Sequence, residues 1–338
     1  MKKYLLPENG NFYKANLHCH STVSDGKYSP EEIKKLYMEK GYSIVAFTDH
    51  DVLIGHKELN EDDFLALHGY EMEINEENLP WRNAKTCHLC FIALSPDNLR
   101  QVCYHRSKYL FANAVNYKDK VQYDENEPDF ERFYSHECIN EMIKKGRENG
   151  FFVTYNHPTW SMENYSDYIG YEGMNAMEIL NYSSMAVYGY DEYNEKEYDD
   201  MLRAGKMIYC ICADDNHNKG EVDDSFGGFV MIKAPSLDYK AVTDALCAGE
   251  FYASMGPEIH SLYVEDGKLY IECSDARSIV FQTDGRNIQK FVSPNGGSIS
   301  KAHFELCELD KYVRVTVTDF NGKHANTNAY EICDLLKQ

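Results

Sequence analysis

Six histidines and three carboxylates, residue types that bind divalent cations well, are strung in order through the first two thirds of the chain: His18, His20, Asp25, His50, Glu71, His88, His157, Asp215 and His217. Imidazole and carboxylate ligands without thiolate suit Zn²⁺, Mn²⁺ or Fe²⁺ and do not choose between them. Two such ions about 3.5–4 Å apart can acidify a shared water, clamp both non-bridging oxygens of a phosphoester and stabilise the departing oxygen, so that no protein nucleophile is required. A third ion, or a nearby histidine, can assist the leaving group.

The elements around these residues explain why they read as a set. Three times a helix-like segment ends at a glycine, which leads into a short apolar strand and then into ligand candidates. Gly41 precedes Ile44 to Thr48 and His50, Gly150 precedes Phe151 to Tyr155 and His157, and Gly205 precedes Met207 to Cys212 and then Asp215 and His217. Each glycine stands where a helix C-cap calls for one. Near-continuous apolar strands alternating with helices predict a parallel sheet buried on both faces, with functional side chains at the C-terminal strand ends. His18 and His20 end the strand Phe12 to Leu17, where alternation sends both to one side and Cys19 to the other, so Cys19 is not read as a ligand. Ser29, Pro30 and Glu32 supply an N-cap, a first-turn proline and a capping-box glutamate for a helix to Lys40. Asp25 lies in the loop before that helix. Glu71 ends the run Leu67 to Tyr70, and His88 opens the strand Leu89 to Leu94.

His18-Cys19-His20-Ser21 with Ser24-Asp25-Gly26, Thr48-Asp49-His50-Asp51, Asn156-His157-Pro158 and Asp214-Asp215-Asn216-His217 resemble the four motifs of the polymerase-and-histidinol-phosphatase (PHP) superfamily. The likeness covers roughly residues 12 to 255. Asn156 to Trp160, Ala176 to Asn181 and Tyr252 to Pro257 are similar to the stand-alone phosphoesterases of that superfamily, including the carbaryl-hydrolase-like branch. The resemblance implies a distorted seven-stranded (β/α) barrel holding two to three divalent transition metals. One ion would take His18, His20, Glu71 and Asp215, a second Glu71, His88 and His157, and a third Asp25, His50 and His217. Glu71, bridging the first two ions, and Asp25 and His217 at the third are the expected catalytic positions. Asp49 and Asp214 are read as partners that orient neighbouring histidines. His56, His68, His105, His136, His260, His303 and His324 fall outside the pattern and are read as structural.

The chain has 338 residues, enough for one large domain and a small accessory one. Its formal charge of −21 makes binding to a nucleic acid backbone costly and points to a small substrate. Met1 to Asn9 is too short and polar for a signal-peptide core, and no apolar run approaches a membrane span, so a cytoplasmic protein without membrane contact is expected. The 11 cysteines show no framework spacing and are read as reduced thiols, Cys87 and Cys90 among them.

Two segments do not belong to a plain barrel. Residues of about 95 to 135 lack apolar periodicity and form an insert or lid, which carries Arg100, Arg106, Lys108, Lys118, Lys120 and Arg132. From 258 to 338, strand-like runs separated by Asp266-Gly267, Asp284-Gly285 and Asn321-Gly322 predict a small β-sandwich, used for packing or a homo-oligomer contact. The division expected is therefore a barrel over 1–257 with its insert and an all-β domain over 258–338.

From Glu148 to Glu195 there is no lysine or arginine, although the stretch includes loops expected to open onto the metals. It holds Tyr155, Tyr165, Tyr168, Tyr171, Tyr182, Tyr188, Tyr190, Tyr193 and Trp160 instead. That composition disfavours a second phosphate on this side, unless the insert supplies cations, and favours grip by stacking and hydroxyls; the same tyrosines could equally pack under a long loop. The sequence thus predicts a multinuclear metal-dependent hydrolase of a small phosphomonoester. Its alternatives are hydrolysis of a carboxylic or carbamic ester by the same metal-bound hydroxide and a non-catalytic metal-dependent binding module.

Overall fold

The computed structural model describes residues 2–337. Nine strands surround the ligand residues: β1 Asn11–Asn16, β2 Ile44–Phe47, β3 Leu65–Asn75, β4 Thr86–Ala93, β5 Phe151–Asn156, β6 Ala176–Asn181, β7 Tyr209–Ala213, β8 Phe229–Ala234 and β9 Phe251–Ser254. They lie in the order β9-β8-β1-β2-β3-β4-β5-β6-β7 within a 14-stranded sheet. The fold is α/β with a central sheet. Strands β1 to β3 are parallel, as are β5 to β7. Helices Pro30–Glu39, His136–Glu148, Glu195–Arg203 and Tyr239–Ala248 cover the sheet.

The apolar runs form these strands because both faces are covered; every residue of β2, β4, β5 and β6 is buried. The glycines at the helix ends have the left-handed φ that stops a helix, 76° at Gly41, 78° at Gly150 and 89° at Gly205. Ser29 and Glu32 form the reciprocal capping box of the first helix.

Two details depart from a uniform parallel barrel. Strand β4 is antiparallel to both β3 and β5. His88 therefore stands near its start yet at the same sheet end as ligands that follow β2 and β5, and Glu71 lies inside the long strand β3 rather than at its end. Closure also differs. Among the described residues no ladder joins β7 to β1, and the two meet beyond their ends through a single parallel bridge, Cys19 with Asn216. Asp215 N donates to His18 O at 2.9 Å and His20 N to Asn216 O at 3.2 Å. The seam thus lies at the ligand residues themselves. Cys19 points into an apolar cluster with Ile33, Tyr37, Val45 and Phe47, away from the seam's polar side.

At its other edge the sheet continues through β9 into His324–Thr327, Tyr312–Thr318, Ser278–Thr283 and Gln289–Val292. A second, four-stranded sheet of Lys3–Tyr4, Ile259–Glu265, Lys268–Ala276 and Ile299–Glu305 packs on this extension. The amino-terminal strand therefore belongs with the C-terminal sheet. Arg314, fully buried, ties the extension to the helical layer through Asp199 at 2.9 Å and Glu195 at 2.8 Å.

The insert folds over the strand ends. Val102, Tyr104, Ala114 and Val121 are buried, three of them in a small cluster with Val23 and Val52, and Asn113 N donates to Ser24 O. Arg132 is buried against Asp51 at 2.5 Å and Glu73 O at 3.1 Å, pinning the insert to the loop that bears His50. Among the described residues no helix is long and apolar enough to cross a membrane.

Candidate metal centre

The nine sequence-predicted residues converge around Glu71. His18 Nε2 lies 3.2 Å from Glu71 Oε1 and 3.2 Å from Asp215 Oδ1. His20 Nε2 lies 3.3 Å from Glu71 Oε2 and 3.0 Å from Asp215 Oδ1. The same oxygen that faces His18, Glu71 Oε1, is 3.0 Å from His88 Nδ1 and 3.4 Å from His157 Nε2. Asp25 stands apart with His217 Nε2 at 3.4 Å and His50 Nε2 at 3.9 Å. These are three ligand groups, and Glu71 is common to two of them.

Two histidines face two groups at once. His50 turns Nε2 to Asp25 while its Nδ1 is 3.3 Å from Glu71 Oε2, and His20 turns Nδ1 to Asp25 at 3.6 Å. Four-atom sets that can hold an ion are His18, His20, Glu71 and Asp215, and His20, Asp25, His50 and His217; His50, Glu71 and His88 make a smaller one, as do His18, His157 and Glu178, so that His88 and His157, expected to share an ion with Glu71, fall in different sets.

The donor set fits cations better than it fits itself. His18 Nε2 and His20 Nε2 face each other at 3.1 Å, a contact in which at most one ring can donate. His20 Nδ1, His50 Nδ1 and His88 Nε2 are buried without a hydrogen-bond partner, although His50 Nδ1 lies near Glu71. Unpaired buried polar atoms are costly, and so many converging on one point are expected of a site built for ions.

The electrostatics agree. Burial acts against a charged His20, yet hydrogen bonds to Asp215 and Glu71 outweigh it and hold the ring up to about 10. His157 is likewise pushed to about 9, burial being overcome by Glu71 and Asp215. His50 and His217 go the other way, through burial and then the neighbouring His20 charge. Despite burial, the surrounding imidazoles hold Glu71, Asp25 and Asp215 well below the usual carboxylate range. Three carboxylates are thus drawing positive charge into a dry site, which bound divalent cations would provide while leaving the rings neutral.

Several residues the sequence reading did not assign hold the ligands in place. Glu178, inside β6, accepts from His18 Nδ1 at 2.7 Å and from the backbone N of His157 at 2.9 Å. A lone glutamate in an otherwise apolar strand was the signal for it. His217 Nδ1 contacts Asp215 O at 2.8 Å, and His157 Nδ1 contacts Ser161 Oγ at 3.2 Å, which leaves each Nε2 free to ligate. His157 and Asp215 carry left-handed φ values of 27° and 54°, backbone strain of the kind retained where a side chain must be aimed.

Asp49 and Asp214 do not orient histidines. Asp49 accepts from the backbone and hydroxyls of Ser21 and Ser24, shaping the loop that leads to Asp25. Asp214 accepts from Tyr37 and from the backbone of Phe226, Gly227 and Gly228. Both hold loops because backbone N–H groups surround them.

The ligands floor a cleft of about 460 Å³ walled by Trp81, Phe111, Trp160 and Tyr188. Among the described residues its one lysine or arginine is Lys219, paired with Asp25. The insert's cations lie elsewhere: Arg100 pairs with Asp124, Arg106 with Asp129, Lys108 with Glu131 and Arg132 with Asp51. Of the tyrosine-rich stretch only Tyr188 reaches the cleft with Trp160, while Tyr155 and Tyr171 are buried on Glu163.

Residues 16–144 match the family model of the PHP domain. A 42-residue stretch is 45% identical to a 5'-3' exoribonuclease of Haemophilus influenzae; it covers 12% of this chain and spans 15% of that relative's length. A two-domain protein from Bacteroides vulgatus, containing a predicted PHP-like metal-dependent phosphoesterase, is similar over 97% of both chains at 14% identity and a TM-score of 0.45. An amidohydrolase from Chromobacterium violaceum is similar over 62% of this chain and 89% of its own, at 14% identity and a TM-score of 0.40. The family match takes in His18, His20, Asp25, His50, Glu71 and His88, and the fold brings His157, Asp215 and His217 onto the same point. The chain is therefore similar to the PHP domain over residues 16–144.

Proposed function

We propose that the protein is a metal-dependent phosphoesterase acting on a small phosphomonoester. The observation that carries this reading is the convergence of nine imidazole and carboxylate side chains, with unpaired buried atoms, seven of the nine lining one cleft and His18 and His20 lying behind them. His18, His20, Glu71 and Asp215 would hold one ion, Glu71 with His88 and His157 a second, and Asp25, His50 and His217 a third. When bound, Mn²⁺, Fe²⁺ or Zn²⁺ would supply an acidified water and charge neutralisation for the phosphoryl oxygens.

The chain's own residues do the rest. Glu71 couples the ligand groups, so its two oxygens fix their separation. Glu178 holds His18 and the backbone of His157 in one frame. Lys219 is the cation nearest an incoming phosphoryl group, and Trp160 and Phe111 keep bulk water from the floor. A small substrate is favoured over RNA, on which the exoribonuclease relative acts, because a net charge of −21 and one cleft lysine give a polymer backbone little to bind.

The test is reconstitution of chelator-free protein with Mn²⁺, elemental analysis, and assay on p-nitrophenyl phosphate, bis-p-nitrophenyl phosphate and p-nitrophenyl acetate. Two to three ions per chain and preference for the monoester are expected. Turnover of the acetate alone would replace this reading with ester hydrolysis, and no turnover with full metal load would leave a binding module.

A further inference from the structure

Three aromatic rings line one side of the cleft, and each comes from a different connection. Trp81 lies between β3 and β4, Trp160 in the turn after β5, and Tyr188 at the end of the helix Tyr182–Tyr188 that follows β6. Trp160 is the middle of the row, 6.2 Å from Trp81 and 6.2 Å from Tyr188 between ring centroids. Its ring also stands edge-on to His157 at 5.1 Å and His88 at 5.5 Å, so the row begins at the ligands and runs outward.

The row is built, not incidental. The backbone N–H groups of Thr159 and Trp160 both donate to Glu192, at 3.0 and 2.8 Å, and that carboxylate is fully buried. Trp81 and Tyr188, by contrast, leave 60% and 61% of their surfaces exposed at the mouth. Large aromatic surface held rigid at one end and left uncovered at the other is unusual in a monomer surface and typical of a ligand wall. The wall also has a sign. Among the described residues its side of the cleft offers Glu73 and no lysine or arginine, while Lys219 sits at the Asp25 end. A phosphoryl group over the ligands therefore has a cation near it, and a second anionic group along the wall would meet a carboxylate.

We propose that the wall of Trp160, Trp81 and Tyr188 selects the alcohol side of the substrate, which is a flat, uncharged ring system attached to a single phosphate. This inference rests on the phosphoesterase reading. Hydrolysis consumes one water, breaks the ester P–O bond and releases inorganic phosphate, with the alcohol oxygen taking a proton. The ring packs on Trp160 and is held at its outer edge by Trp81 and Tyr188, where offset or edge contacts between π-systems are favoured.

The experiment compares two monoesters with primary-alcohol leaving groups, 2-phenylethyl phosphate and n-propyl phosphate, on the Mn²⁺-reconstituted full chain. Expected is a kcat/KM at least about tenfold higher for the phenylethyl ester, carried mainly by KM. Trp160→Ala should bring the ratio of the two substrates close to one, and Trp160→Phe should keep most of it. The corresponding phosphonates report binding without turnover. The chain's two tryptophans are both in this wall, so their fluorescence should respond to 2-phenylethylphosphonate at concentrations where n-propylphosphonate has no effect. Equal affinity for the two phosphonates would overturn the inference. A preference for the phenylethyl phosphonate, lost in Trp160→Ala, with neither ester hydrolysed, would uphold the wall and sink the phosphoesterase reading alone.

Discussion

The strands that carry the ligands and one of the two sheets of the C-terminal sandwich are hydrogen-bonded into a single sheet, yet they bury opposite kinds of side chain. The sandwich closes on Ile259, Leu262, Leu269, Ile271, Phe281, Val315 and Val317, and its buried charge, Arg314, has two carboxylate partners. The strand ends of the α/β half gather six imidazoles and three carboxylates, and there the unpaired buried atoms His20 Nδ1, His50 Nδ1 and His88 Nε2 lie within one cluster of ligand types. The unpaired buried atoms of the sandwich, Tyr312 Oη, Asn326 Nδ2 and Tyr330 Oη, belong to no such cluster among the described residues. Chemistry is expected where unpaired polar atoms converge on one set of ligand types, and stability where apolar side chains close on one another.

The change that should break this contrast most sharply is Glu71→Gln. It removes a charge shared by two ligand groups, and we expect turnover to fall by about a thousandfold or more, with loss of metal by elemental analysis. Asp25→Asn touches one group and should cost less. A larger loss for Asp25→Asn would overthrow the division of ligands.

In the sandwich the corresponding cut is Arg314→Ala. It leaves Asp199 with Arg203 at 3.5 Å and leaves Glu195, 35% exposed, to solvent, and denaturant unfolding should show about 1–3 kcal/mol of lost stability. Metal content of the protein that remains folded should be unchanged; a drop would mean that the two regions are coupled through the helix Glu195–Arg203.

Glu178→Gln sharpens the comparison from the ligand side. The carboxylate holds His18 and the backbone of His157, with which it also forms a candidate ligand set, and metal affinity should weaken by about 10- to 100-fold while the unfolding midpoint of metal-free protein barely moves. Unaltered affinity would show that His18 is positioned without it.

The smallest effect concerns Glu163, buried beneath the loop that carries His157. Burial raises its carboxyl to about 7 even though Tyr134, Tyr155 and Tyr171 donate to it. Because the folded state holds this proton more tightly than the unfolded one, the stabilisation is complete below the ordinary carboxylate value and is lost as pH rises through about 7. Between about pH 5 and 7 wild-type stability should fall by on the order of 1–2 kcal/mol, read as a lower Tm, and Glu163→Gln should flatten that slope. Parallel wild-type and variant curves would remove Glu163 as its source.

Much of the site was legible because it follows from local rules. Alternation along β1 puts His18 and His20 on one side and Cys19 on the other, and three glycines with positive φ mark the helix ends before the strands that lead to His50, His157 and His217. Other features had no local signal. The antiparallel direction of β4 is set by its partners, since an apolar run reads the same in both senses. Glu178 looked like part of a strand until the fold set it against His18. Four of the insert's six cations, Arg100, Arg106, Lys108 and Arg132, looked available for a phosphate until Asp124, Asp129, Glu131 and Asp51 took them.

The sequence by itself determined the ligand types, their order and the strands and turns that present them, because periodicity, capping and side-chain chemistry act within a few residues. Only the tertiary structure decided which donor atoms stand together, which carboxylate steadies which histidine, and that Trp81, Trp160 and Tyr188, on three separate connections, stand in one row beside the ligands. Those are distances across the sheet, set by how strands pair and where their loops fold back, and no local rule of the chain encodes them.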